Sequence, residues 1–311
     1  MAAARPWKIG IVGVGKIARD QHLPTIAVSP HFELAATASR FANIGGVDSF
    51  EGVEALLDAR PDISCLAICT PPQVRYAIAR QAIMAGRHVM LEKPPGATIS
   101  EVEDLVDLAR QAGVALQATW HSRYAHGVAA ARDWLAGKTI RKLRIIWKED
   151  VRRWHPGQEW LWQAGGQGIF DPGINALSVL TAIYPRRVHL TSATLFFPEN
   201  RETPIATDLA FFDPGGAEMT AEFDFRQEGP QSWDIHVETD EGGMTLSQGG
   251  AVLSIDGQVV ASGPDREYAG LYARFAELVA TGAIDVDLAP MLHVADAFTL
   301  GRRINVAPFH Y

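Results

Sequence analysis

Lys93 stands in LEKPPGATIS, residues 91–100, behind a glutamate, ahead of two prolines, and just after an apolar run. The prolines stiffen the turn and bias Lys93 away from helical geometry, so its ammonium is aimed at something. Proton exchange or a grip on a hydroxyl is the chemistry that suits it; a solvated loop lysine is the plain alternative. A cis Lys93–Pro94 bond is compatible with the pattern, and Glu92 would orient the lysine or touch a cofactor. Asp171 is the second candidate. In GGQGIFDPGINALSVL a helical reading over roughly 168–183 puts Asp171 and Asn175 four apart on one face. Asp171 can take a proton, whereas the Asn175 amide can only hold a hydroxyl or orient a neighbour. Asp171 followed by Pro172 also suits a helix cap. Just upstream, VRRWHPGQEWLW (151–162) carries Trp154, His155, Trp160 and Trp162, with Glu149 before them. Aromatic faces with nearby polar tips suit a ligand pocket or a packed interface. Trp120 and His121 form a similar pair, with His121 also readable as a structural histidine.

These side chains need a scaffold, and the hydrophobic pattern describes one. From Lys8 to about Thr119, KIGIVGV, ELAATAS, ISCLAICT, HVMLE and VALQAT read as strands alternating with helical segments, which implies a parallel sheet covered on both faces. Ser100 is the expected cap of the helix that follows the lysine loop, with Gly86 and Gly113 as helix stops. Beyond residue 120 the strands RKLRIIWKEDV, RVHLTSATLFF, PIATDLAFF, AEMTAEFDF and SWDIHVET are separated mostly by turns, and alternation is clearest over 217–225. Further helices are expected at 267–281 and after Pro290. The fold class is therefore α/β: an N-terminal doubly wound Rossmann domain over 1–120 and, over 121–311, an α+β domain built on an open, mostly antiparallel sheet.

The first strand ends in GIVGVGKIA, where Gly13, Gly15 and Ala18 fill a G-x-G-x-x-A fingerprint. Gly13 permits the tight turn, Gly15 lets the backbone approach a pyrophosphate, and Ala18 allows close helix packing, with Lys16 and Ile17 completing the cradle. The fingerprint follows a strand, opens a helix and begins a βαβ series, so a dinucleotide is expected. At the end of the second strand ATASRF has no carboxylate for a ribose 2′-hydroxyl; Ser39 and Arg40 instead suit a 2′-phosphate, favouring NADP over NAD. Thr70, Pro71 and Pro72 end the ICTPP strand on the same edge and are expected to touch the cofactor.

Taken together, GVGKIA, CTPP, AGRHV, EKP and DPGIN, in that order, resemble the glucose-fructose oxidoreductase and inositol dehydrogenase family, Gfo/Idh/MocA, across essentially the whole chain. The resemblance implies a substrate cleft between the two domains, assembly into dimers or tetramers through the C-terminal sheet, and a role for Lys93 in holding the substrate beside the nicotinamide. The family usually has histidine where Asn175 stands, which leaves Asp171 as the base. The Asp and Asn pair is similar to a branch that oxidises D-galactose or L-arabinose at C1. That implies catalysis by Lys93 and Asp171 on a pyranose, with Glu149, His155, Asn175, Trp154 and His121 as sugar ligands. Arg75 departs from the family's frequent histidine without a reason visible in the sequence. Action on another polyol or sugar derivative, and a non-catalytic NADP-binding regulator, are the rival readings.

The remaining composition narrows the classes. The 311 residues carry a net charge of −8, which argues against a general nucleic-acid surface. No membrane span or signal-peptide core is visible, so a cytoplasmic protein is expected. The two cysteines, Cys65 and Cys69, lie about 13 Å apart along a strand, too far for a disulfide, and no Cys/His cluster has zinc spacing, so no metal is expected.

Overall fold

A computed structural model describes residues 5–40 and 42–311. Positions 1–4, part of the stretch expected to have no signal-peptide core, lie outside the described residues. The chain forms two compact units: one runs to Trp120 and takes in Tyr268–Asp287, the other comprises His121–Glu267 and Leu288–Tyr311.

The first unit contains β1 (Trp7–Val12), α1 (Leu23–Ala27), β2 (Phe32–Ala38), β3 (Asp48–Phe50), α2 (Val53–Ala59), β4 (Cys65–Ile68), α3 (Pro72–Met84), β5 (His88–Leu91), α4 (Ile99–Ala112) and β6 (Leu116–Ala118). Every residue of β4 is fully buried, as are Val89, Met90 and Leu91 of β5, which is the signature of parallel strands covered on both faces. The register pairs Val12 with Ala38 and with Ile68, and Ile68 with Leu91. That alignment brings Gly13, Ser39, Cys69 and Glu92 to one carboxyl edge of the sheet. Leu56, Leu66, Ile83 and Leu105 belong to the core beneath it. Cys65 and Cys69 are free thiols.

The helix after the lysine loop starts earlier than Ser100 suggested. Thr98 is extended, its side chain accepts from Glu101 N at 3.2 Å, and Thr98 N donates back to Glu101 Oε2 at 3.3 Å. This capping box satisfies two end N–H groups, against the one that a lone Ser100 would satisfy. Gly113 stops the helix in the left-handed region, at φ 67°.

The sequence boundary at residue 120 left out Tyr268–Asp287, which pack with the first unit. Phe32 stacks on Phe275 at 5.5 Å and meets Tyr272 edge-on at 5.6 Å, and the short strand Ile284–Asp285 pairs with β6. The seven-stranded order is Ile284–Asp285, β6, β5, β4, β1, β2, β3. Helical periodicity says which face is apolar, and it carries no address for the sheet that covers that face.

The second unit adds α5 (Val128–Leu135), β7 (Ile140–Lys148), α6 (Val151–Trp154), α7 (Phe170–Ile183), β8 (His189–Pro198), β9 (Ala206–Phe212), β10 (Glu218–Asp224), β11 (Ser232–Thr239) and β12 (Gly242–Ser247). The strands Val252–Ile255, Gln258–Ser262 and Arg302–Val306 complete a nine-stranded sheet with β10, β7 and β11 near its centre. Most neighbours run antiparallel, while β7–β10 and β8–Arg302–Val306 are parallel. Met219, Ala221 and Phe223 of β10 are buried, and Glu218, Thr220 and Glu222 alternate with them on the opposite face. That second face carries ion pairs such as Arg144–Glu222 at 2.6 Å and Lys148–Glu222 at 2.9 Å. Helix α7 lies close over β10: a Cβ at Gly173 would come within 2.5 Å of the Phe223 ring. Glycine is what lets that helix, with Asp171 in its first turn, sit so near the sheet.

Candidate active site

On the carboxyl edge of the first unit, Gly13 holds φ 89°, and a Cβ there would stand 2.9 Å from Thr70 N. Only glycine satisfies both the left-handed backbone and that approach. Beyond its own chain neighbours, Gly15 has nothing within 4 Å of where its Cβ would be, so this face of the turn is open for a phosphate to meet backbone. The following turn, Ala18–His22, is wound as a π-helix before α1, with Ile17 leading into it and Lys16 paired to Asp20. Ser39 and exposed Arg40 continue past β2, where Ser39 N donates to Phe50 O at 2.8 Å. The nearby carboxylate of Asp48 is engaged by Arg60 at 2.8 Å. Pro71, extended, caps α3, which Pro72 opens beside Thr70. These residues fit a dinucleotide: a glycine cradle open to the pyrophosphate and, at the ribose end, a hydroxyl and a guanidinium.

The lysine loop is held from behind. Glu92 is 4% exposed; its Oε1 lies 2.9 Å from His22 Nε2 and accepts from Tyr268 OH at 2.8 Å, while Oε2 accepts from Lys93 N at 3.0 Å. The carboxylate thus holds the backbone N–H of the residue that it was expected either to orient or to accompany at the cofactor. His22 is fully buried, and its Nδ1 lies 2.8 Å from Tyr272 OH. Burial alone would lower the His22 pKa, but Cys69, Tyr272 and Glu92 outweigh it and raise the imidazole well above its ordinary range. Burial pushes the Tyr272 phenol up to about 12. The Lys93–Pro94 bond is cis, and half-buried Lys93 begins the turn. Buried Arg75 donates to the backbone carbonyls of Thr70, Glu92 and Pro94. This gives the unexplained departure from histidine a physical role.

In the second unit three titratable side chains from three elements meet. Glu149 follows β7, His155 ends α6, and Asp171 lies in the first turn of α7. His155 Nε2 is 3.1 Å from Glu149 Oε1, and His155 Nδ1 is 3.6 Å from Asp171 Oδ2 and 3.3 Å from Gln158 Oε1. Glu149 and Asp171 are 5% and 4% exposed. Such burial puts a premium on their shared partner. Trp233 donates its Nε1 to Glu149 Oε2 at 2.9 Å. Trp154 meets Trp233 edge-on at 5.3 Å and donates to Gln231 Oε1 at 3.3 Å, so it stands beside the row. Asn175, half-buried, lies one turn beyond Asp171 on α7.

Some expectations change. Asp171 is not the helix cap, because α7 already begins at Phe170 with Ile169 at the cap position. Its carboxylate turns instead to His155. Trp162 is interior packing, 2% exposed, with Nε1 donating to Tyr311 OH at 2.9 Å. Trp120 is likewise buried, donating to Asp287 O at 2.9 Å within the first unit. His121 pairs with Glu267. Sequence reasoning missed His22, Tyr268, Tyr272 and Trp233. The first three are joined across up to 250 positions, a separation with no local signal.

The doubly wound unit with its glycine turn and lysine loop, followed by an open-sheet unit bearing the buried acid row, defines a class. The oxidoreductase family with an NAD-binding Rossmann fold matches residues 7–119, and the chain belongs to this Gfo/Idh/MocA family. It is 42% identical over 306 residues to galactose 1-dehydrogenase of Pseudomonas fluorescens, covering 98% of this chain and 99% of that one. The solved D-galactose-1-dehydrogenase protein from Rhizobium etli is 57% identical, with TM-score 0.95 and all of both chains covered. A 3-ketoreductase from Actinomadura kijaniata, solved with NADP and TDP-benzene, shares the fold at TM-score 0.84 and 21% identity, covering 97% and 99% of the two chains. Among the described residues no helix is long and apolar enough to cross a membrane.

Proposed function

We propose that this protein is an NADP-preferring aldose 1-dehydrogenase that oxidises the anomeric carbon of a pyranose, D-galactose first and L-arabinose with it, to the lactone. The carrying observation is the buried row Glu149–His155–Asp171, read beside the full-length likeness to two galactose 1-dehydrogenases. D-Galactose and L-arabinose pyranoses share configuration from C1 to C4, so one set of hydroxyl ligands serves both.

When bound, the nicotinamide accepts the hydride that leaves C1. Asp171 takes the proton of the anomeric hydroxyl, and Lys93 assists by holding that oxygen. The imidazole of His155 touches both carboxylates, fixing Asp171 in place while Glu149, braced by Trp233, receives a ring hydroxyl. Asn175 adds an amide on the Asp171 side of the sugar, and Trp154 offers an aromatic face to its C–H groups. Gly13, Gly15, Lys16 and Ile17 cradle the pyrophosphate, Thr70, Pro71 and Pro72 line the edge beyond it, and Ser39 and Arg40 select the 2′-phosphate.

The test is initial-rate reduction of NADP and NAD with D-galactose, L-arabinose, D-glucose, D-xylose and myo-inositol. The expected result is turnover of the first two sugars, faster with NADP. Turnover of inositol alone, or of none of the five, refutes the assignment.

A further inference from the structure

The geometry points to Arg75 as a positioning residue that ties the cofactor edge to the reactive lysine. Arg75 sits in the first turn of α3, four residues into a helix that opens at Pro72. A cation there opposes the positive end of the helix dipole, so helix formation gives no reason for it. The residue is 2% exposed, and a buried guanidinium is costly unless oxygen acceptors surround it. The acceptors are carbonyls of Thr70, on the ICTPP turn, and of Glu92 and Pro94, which flank Lys93. One planar, multiply donating head thus fastens two loops that leave neighbouring strands, β4 and β5, at the same sheet edge. Lys93 is bracketed by the fastened carbonyls on both sides, while Glu92 holds its N–H from below. Movement of the turn that lines the cofactor is therefore transmitted to the backbone that aims the ammonium.

This inference rests on the role given to Lys93 above, and its test separates the two. Arg75→Met, Lys93→Ala and the double variant are compared with wild type for kcat and for the sugar and NADP KM. NADPH binding is measured by fluorescence, and amide hydrogen exchange over 92–98 by mass spectrometry. If Arg75 acts through Lys93, Arg75→Met lowers kcat by about 10²-fold, the cost of a small misplacement at a reacting centre. It then lowers kcat little further once Lys93 is already alanine, because coupled residues are non-additive. Exchange over 92–98 quickens, and NADPH binds more weakly. Arg75→Lys, which keeps the charge but not the fork, falls between wild type and Met, and it carries the same cycle if the Met variant does not fold. Full multiplication of the two losses in the double variant overturns the proposal. Should no sugar be turned over by wild type, the function is wrong while the clamp is still judged: unchanged exchange and unchanged NADPH binding overturn it alone.

Discussion

Replacing Asp171 with Asn separates chemistry from architecture, because the amide keeps the volume of the carboxylate but cannot take a proton. Asp171 is buried, and the imidazole of His155 also meets Glu149 at 3.1 Å and Gln158 at 3.3 Å. In the Asp171→Asn variant the amide oxygen can still face His155, whose Nδ1 stands 3.6 Å from the carboxylate, so the folding cost stays within the ~1–3 kcal/mol of one impaired buried polar contact. The catalytic cost is larger: a positioned proton acceptor contributes about 10²- to 10⁴-fold, or roughly 3–5 kcal/mol of barrier. Steady-state kcat with D-galactose should therefore drop at least a hundredfold, on the low side of that ~10²–10⁴ range. Binding of NADPH, measured by fluorescence, should be unchanged, and the melting temperature should move by only the few degrees that ~1–3 kcal/mol implies. With C1-deuterated galactose the variant should show the full isotope effect on kcat, since hydride and proton departure are then slow together. A kcat within about tenfold of wild type would refute Asp171 as the base.

Three further perturbations test other parts of the reasoning. Arg40→Ala removes one charge-assisted contact to a 2′-phosphate, worth about 1.5–3 kcal/mol, so the NADP KM should rise about ten- to hundredfold while the NAD KM stays put; an equal rise in both rules out 2′-phosphate recognition. Trp233→Phe keeps the ring but removes the donor to Glu149 Oε2, so the sugar KM should rise several-fold with kcat nearly unchanged, and an unmoved KM would detach Glu149 from the sugar. At the far end of the sheet, Arg186 grips Asp213 through two bonds of 2.5 and 2.7 Å, which holds the carboxylate well below its ordinary range. A depressed folded pKa stabilises the protein above the unfolded value near 3.9 and loses that contribution as pH falls through the folded one. Denaturant titrations should therefore find the stability gap between wild type and Asp213→Asn narrowing as pH is lowered below about 4; a gap independent of pH would exclude the linkage.

What was legible in the chain is what neighbouring residues decide among themselves. Gly13 and Gly15 announce a turn and an open face because steric limits act over two or three residues, and the two prolines announce a fixed loop around Lys93 for the same reason. Glu149, His155 and Asp171 could each be singled out by type, but their meeting depends on where β7, α6 and α7 end in space. Trp233 and the buried His22 with its two tyrosines carried no local mark at all. Thr98 shows that even local signals compete: Ser100 is a good cap in isolation, and the reciprocal bonds of Thr98 and Glu101 outdo it. Arg75 is the instructive case, since a cation at a helix start breaks a local rule and the local pattern contains nothing that offsets it. Such a conflict between propensity and residue is itself a tertiary signal. It says that acceptors must arrive from elsewhere in the fold, and here they come from the two loops on which Lys93 depends.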